Sequence, residues 1–109
     1  MSGTTFDTYQ EGADLAVALR EAIADARRRR NGHGPSTTGM AQKRRAVQVH
    51  DAPVPHMRAI SIARRLMVND VNTIGDQFAD WCGAIPVCAD DDQAGEDVIG
   101  WVFVGVYHT

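Results

Sequence analysis

Four consecutive guanidiniums, Arg27, Arg28, Arg29 and Arg30, are the sharpest chemical feature of this chain. Guanidiniums recognise carboxylates and phosphates through paired N–H donors. On a nucleic acid, each phosphate contact releases counterions and makes binding salt-dependent. The run also has a plain structural use. Cations in the last turn of a helix complement its dipole, and Asp25 stands four residues before Arg29. Lys43, Arg44, Arg45, Arg58, Arg64 and Arg65 extend the set. Together these residues are the candidate surface for a polyanion or for an acidic protein partner.

Other reactive residue types are present without the spacing that chemistry needs. His50 and His56 are six apart, as are Cys82 and Cys88, whereas zinc sites use tighter pairs. Two cysteines are too few for a disulfide framework, and small buried thiols explain them more simply. The acidic stretch from Asp90 to Asp97 lacks the alternating oxygen ligands and terminal Glu of a calcium loop, and reads as a solvated turn. Ser61 has no glycine-flanked elbow, and no glycine-rich phosphate loop follows a strand. The sequence therefore points away from catalysis: no catalytic residue, metal ligand or cofactor is expected.

Charge is sorted along the chain. Residues 1–19 carry Asp7, Glu11 and Asp14, for −3. Residues 20–65 hold all 11 Lys and Arg against Glu21, Asp25 and Asp51, for +8. Residues 66–109 carry eight acids and neither Lys nor Arg, for −8. Opposite signs of equal size call for a charged partner or a second copy of the chain. The 44% apolar and 23% charged fractions are those of a folded protein, and 109 residues suit a single domain, 1–109. A signal-type N-terminus and an apolar run of membrane-spanning length are both missing, so a cytoplasmic, non-membrane protein is expected.

The elements that must position these residues follow from periodicity. Thr8 and Glu11 form a capping-box pattern, and Leu15, Leu19, Ala22 and Ala26 recur on one face, predicting a first helix over 8–30. Residues 31–41, rich in Gly, Ser and Thr, read as a flexible loop. Residues 46–50 alternate as a short strand that a Pro53-Val54-Pro55 turn ends. A second helix is expected over 56–68. A third is expected over 71–82, where Val71, Ile74, Phe78 and Trp81 keep helical spacing and Gly83 stops it. Residues 84–88 suit a short strand. Residues 98–107 are the strongest strand, with Gly100 and Gly105 marking a bulge or a close backbone approach.

The predicted fold is therefore α+β, with three helices on a small, mostly antiparallel sheet ending in the 98–107 strand. Both faces of that strand are apolar, and three helices in so short a chain are expected to cover only one. Trp101, Phe103 and Tyr107 are accordingly candidates for an apolar interface, since an uncovered strand would aggregate. The function expected is non-enzymatic protein–protein interaction or assembly, with a protein partner or with itself. The competing expectation is a small nucleic-acid-binding regulator using Arg27–Arg30 and Lys43–Arg45. Against it, the second element of a helix-turn-helix over 60–81 would carry Asp76 and Asp80 and no base-reading Arg.

Overall fold

The computed structural model describes residues 3–29, 35–89 and 97–108, and side chains within these ranges except those of residues 35–37. The chain begins with a strand, β1 (Gly3–Glu11), which overturns the helical reading of residues 8–14. Thr4, Thr5, Phe6, Thr8 and Tyr9 are β-branched or aromatic, and every second side chain turns to one face, with Phe6 buried. Thr8 and Glu11 thus lie in a strand, and the capping box they resemble does not form. Gly12 makes the exit at φ 126°, a conformation glycine takes freely, while its N–H bonds Ile99 O at 2.9 Å. The true N-cap is Asp14, whose Oδ1 accepts from Val17 N at 3.0 Å. Helix α1 (Leu15–Arg28) then presents Leu19, Ala22 and Ala26 of the stripe read from the sequence to the sheet, with Ala18 buried beside them and Leu15 only partly covered.

Of the 31–41 stretch expected as a loop, residues 31–34 lie outside the described residues. Residues from Pro35 form a second helix, α2 (Pro35–Gln42). Pro35 occupies its first position, where a missing N–H costs nothing. Gly39 and Met40 are buried against the sheet, so tertiary packing supplies what the local pattern does not. Next come β2 (Arg45–Gln48) and, after a bend, β3 (Val54–Pro55). The expected proline turn is therefore an edge fragment, a position that tolerates proline. Helix α3 (His56–Asn69) agrees with expectation.

The third predicted helix does not exist. Val71–Ile74 makes one 3-10 turn, and Gly75 at φ 85° ends it. Asp76 Oδ1 then accepts from Phe78 N at 2.9 Å, turning the chain toward β4 (Trp81–Cys88). Phe78, expected on the apolar helix face, is exposed. The helical spacing of Val71, Ile74, Phe78 and Trp81 is a coincidence that a left-handed glycine and an Asx turn override. The last strand is β5 (Gly100–His108).

The fold class is α+β: three helices on a five-stranded, mostly antiparallel sheet that ends in the C-terminal strand. The strand order is β1-β5-β4-β2, with β3 beside β4 after β2. β5 pairs antiparallel with β1 and with β4, while β2 and β3 pair parallel with β4. The chain crosses from the β1 edge to the β2 edge through α1, then returns to β4 through α3. Crossovers of one hand that travel in opposite directions leave their helices on opposite faces. Ala18, Leu19, Ala22 and Ala26 of α1 pack on one face with Phe6, Met40, Trp101, Phe103 and Tyr107. Ala59 and Ala63 of α3 pack on the other with Ile85, Val87, Val102, Val104 and Val106.

Both faces of β5 are therefore covered, contrary to expectation, because alanines let each helix lie close to the sheet. Trp101, Phe103 and Tyr107 belong to the core rather than to an interface, and β5 is interior rather than an edge. The glycines of β5 mark close approach, not a bulge: the register to β1 is unbroken, and a Cβ at Gly105 would meet Phe6 Cε1 at 2.9 Å. No helix among the described residues is long and apolar enough to cross a membrane.

Candidate anion-binding cleft

On α1, the flank beside the buried stripe carries Arg20, Ile23, Ala24 and Arg27 at helical spacings of three, one and three, so one side of the helix presents two guanidiniums two turns apart. The facing wall is the α2–β2 junction. Its position is fixed by a side chain acting as a strand: Gln42 Nε2 donates to His108 O at 2.9 Å, and Gln42 Oε1 accepts from His108 N at 3.0 Å. The junction is also tied to the start of β4, with Arg44 N and Arg45 N both bonding Asp80 O, at 2.6 and 3.1 Å.

Between these walls lies a shallow cleft of about 370 Å³ lined by Arg20, Ile23, Ala24, Arg27, Lys43 and Arg44. Its lining contains no carboxylate. Arg20, Arg27 and Arg44 are exposed, and none makes an ion pair among the described residues, although Arg44 adds to the field on Asp80. Three guanidiniums around a concave surface offer positive charge and directional N–H donors of the kind that suit an oxyanion.

Lys43 was expected on the binding surface and is instead fully buried. Its Nζ donates to Ala79 O at 2.7 Å. Buried yet lining the cleft, it forms the floor and not the rim, and burial lowers its pKa, opposed by Cys82, Asp76 and Asp80. Burial pushes the neighbouring Cys82 thiol up to about 12, against the pull of Lys43.

The remaining basic candidates do not join this cleft. Arg28 Nη2 and Arg29 Nε each meet an oxygen of Asp25 at 3.3 Å. They face a second, larger groove of about 710 Å³ toward β1, which Glu11, Glu21 and Asp25 also line. Arg30 lies outside the described residues. Arg45 Nη2 is 2.8 Å from Asp80 Oδ1, and that hydrogen bond holds the Asp80 carboxyl below the usual carboxylate range. Arg58, Arg64 and Arg65 are exposed on α3, across the sheet from α1. The single basic surface suggested by contiguity in sequence is thus divided by the sheet. The residue not singled out from sequence is Arg20; its spacing of seven from Arg27 on one helix was the available signal.

The histidines and cysteines stay apart. Cys82 and Cys88 are buried at opposite ends of β4, about 20 Å apart at the usual rise per residue, too far for a shared metal or a disulfide. His56 stacks on Tyr9 with ring centroids 4.5 Å apart, and His50 Nδ1 lies 2.8 Å from Ala52 O. Among the described residues, no group of three His, Cys, Asp or Glu side chains could hold a metal ion. Most of the acidic stretch, residues 90–96, lies outside the described residues. Comparison with family models, curated proteins and solved structures finds no match to this chain.

Proposed function

We propose that this chain is a non-enzymatic binding module that takes an acidic segment of a protein partner into the cleft between α1 and the α2–β2 junction. One observation carries the reading: Arg20, Arg27 and Arg44 converge without a carboxylate, while Arg28, Arg29 and Arg45 stand beside the chain's own Asp25 and Asp80. A short acidic peptide suits this surface better than a polynucleotide. The cleft is brief, and the carboxylates of Glu21 and Asp25 along α1 and of Asp80 beside β2 repel any polyanion that runs on past it, which favours a short occupant over a long phosphate backbone.

Fluorescence anisotropy with a labelled deca-glutamate peptide and a labelled single-stranded oligonucleotide, from 20 to 300 mM salt, tests this. The peptide is expected to bind at low salt. The triple variant Arg20→Gln/Arg27→Gln/Arg44→Gln should lose about tenfold or more in affinity, while Arg58→Gln/Arg64→Gln/Arg65→Gln should bind as the unaltered chain does. Equal losses in both variants, or no peptide binding at low salt, would defeat the proposal. Tighter binding of the oligonucleotide through the same three arginines would replace it with the nucleic-acid reading.

A further inference from the structure

We infer that the open edge of β1 takes β1 of a second copy of the chain, paired antiparallel about a two-fold axis, so that two sheets become one. The edge lies on the other flank of α1 from the cleft and does not depend on it. β1 stands at one end of the strand order and pairs with β5 alone among the described residues. It runs nine residues in unbroken register, without proline, Lys or Arg, and its only charges are Asp7 and Glu11. Proteins blunt an exposed edge with short strands, bulges, prolines or lysines, because its backbone groups invite another strand. The opposite edge of this sheet is blunted in that way: β2 has four residues, β3 has two, and Pro53 and Pro55 stand where the edge breaks. The β1 edge is left continuous.

Which backbone groups it offers follows from the register. Gly12 N bonds Ile99 O, one step beyond the Glu11–Gly100 pair. Residues of an antiparallel strand turn their N–H and C=O alternately toward a neighbour and away from it. Thr4, Phe6, Thr8 and Gln10 therefore bond β5, and Thr5, Asp7, Tyr9 and Glu11 turn theirs to the open edge. The far side of the sheet gives the same alternation. Ala84 O accepts from Val49 N, so Gly83 and Ile85 of β4 bond Val104 and Val102 of β5. That leaves Trp101, Phe103, Gly105 and Tyr107 for Gln10, Thr8, Phe6 and Thr4 of β1.

What lies above the strand selects the occupant. α2 covers the first half of β1, with Gly39 on the Phe6 ring. The second half, Thr8 to Glu11, floors the groove of about 710 Å³ beside α1. A two-fold axis through Asp7 is the one antiparallel arrangement in which all of Gly3–Glu11 pairs with its copy. It sets Thr5 opposite Tyr9, so outward backbone groups meet outward ones and a β-branched side chain meets an aromatic, a favoured cross-strand pair. It also lays the half that α2 covers beside the open half of the mate, so α2 of each copy borders the other's groove. Pro35–Gln42 contains no charged residue and meets the mixed lining of Glu21, Asp25, Arg28 and Arg29 without like-charge repulsion. An unrelated extended peptide would add a strand but no helix to border the groove. Asp7 opposes Asp7 of the copy across the axis, and salt screens that repulsion. The same edge is used on both molecules, so the contact closes at two.

Sedimentation equilibrium and residue-resolved amide exchange on the full chain test this. The average mass should climb with concentration from the 11.9 kDa of one copy to twice that and no further, and high salt should preserve or tighten the pair. Where the pair forms, the amides of Thr5, Asp7 and Tyr9 should exchange about tenfold or more slowly than in dilute protein, while those of Phe6 and Thr8 stay protected at both concentrations. Thr5→Pro removes an N–H that β5 does not use and places its ring against Tyr9 O of the copy. It should keep the circular dichroism spectrum of the unaltered chain and stay at one copy; if it does not fold, the exchange pattern decides alone. A chain that remains at 11.9 kDa at millimolar concentration overturns the inference and leaves the edge to a strand of another protein. So do a mass that rises past two copies, a pair in which Thr5, Asp7 and Tyr9 still exchange fast, and a folded Thr5→Pro that pairs as the unaltered chain does.

Discussion

Gly39→Ala tests the packing that positions the cleft, because local preference and tertiary contact make opposite demands there. Gly39 lies inside α2, and alanine in a helix interior gains about 1 kcal/mol over glycine. If α2 merely lay on the surface, the substitution would stabilise the protein. Instead, a Cβ at Gly39 would stand 2.5 Å from Phe6 Cγ and 2.8 Å from Cε1. The Phe6 ring is only 2% exposed and has no room to retreat. Below it, the Gly105 position leaves 2.9 Å for any added atom, and beside it Tyr107 makes an edge contact at 6.3 Å between centroids. Overpacking of this kind costs about 1–3 kcal/mol, and a confined ring belongs at the upper end. Less the helical gain, the net loss is about 1–2 kcal/mol. For a chain of this size that lowers Tm by roughly 4–16 °C, since each kcal/mol moves it by about 4–8 °C. Thermal melts followed by circular dichroism measure this, with Thr38→Ala, on the exposed side of α2, as the control that should hold or raise Tm. A Gly39→Ala Tm equal to or above that of the unaltered chain would refute the docking of α2 on Phe6, and with it the placement of the Lys43–Arg44 wall.

Two further outcomes follow from the floor of the cleft. Lys43→Met keeps the apolar stem and removes the ammonium, so the cost of an undonated Ala79 carbonyl, about 1–3 kcal/mol, is offset by relief of a buried charge. Lys43→Ala also opens a cavity and should lose about 2–5 kcal/mol; urea midpoints that fall equally in both variants would show that the ammonium, and not the stem, holds the site. The Cys82 thiol, pushed up to about 12 in the fold, keeps its proton where the unfolded chain, with its thiol at 9.0, has lost it. Its contribution is therefore complete below pH 9 and declines as pH rises toward 12, by roughly 4 kcal/mol over three pH units. Cys82→Ala should flatten that alkaline decline in urea midpoints, and thiol reagents at pH 8 should reach Cys82 only as fast as the chain unfolds. Labelling within seconds in the native protein would contradict its burial.

What was legible in the sequence is the part decided by strong periodicity. The stripe of Leu19, Ala22 and Ala26, the 56–69 helix and the apolar run of β5 all emerge where expected. The errors fall where one pattern imitates another. Thr8 and Glu11 satisfy a capping box, yet Asp14 caps the helix, because nine residues from Gly3 find a full antiparallel partner in β5. Val71, Ile74, Phe78 and Trp81 keep helical spacing, yet the φ of Gly75 divides them. The covering of both β5 faces was hidden for a different reason. Alanine carries little weight in a hydrophobic pattern, but Ala18, Ala59 and Ala63 are the residues that let helices lie against both sides of the sheet. For the site, Arg20 and Arg44 are 24 positions apart, and no spacing rule joins them. Only the return of the chain through α2 does so.

Burial of Trp101, Phe103 and Tyr107 changes what a partner can use. The most apolar strand is consumed by the core, which leaves at the surface scattered apolar side chains such as Met57, Val68 and Phe78, and charges whose arrangement is uneven in a telling way. Asp25 sits on α1 within reach of that helix's arginines, and it meets Arg28 and Arg29 on one flank while Arg20 and Arg27 on the other make no ion pair among the described residues. Asp80 likewise meets Arg45 and not Arg44. Three like charges around one concavity repel one another in the free protein, a cost that no ion pair among the described residues relieves, although the field of Asp80 eases it at Arg44. Binding of an anion removes that repulsion and adds attraction, so the free energy gained exceeds what the same guanidiniums would give if each already held a partner. Arginines that the fold leaves without carboxylates are therefore better evidence for a site than the run Arg27–Arg30 that first draws the eye, of which Arg28 and Arg29 are already engaged by Asp25.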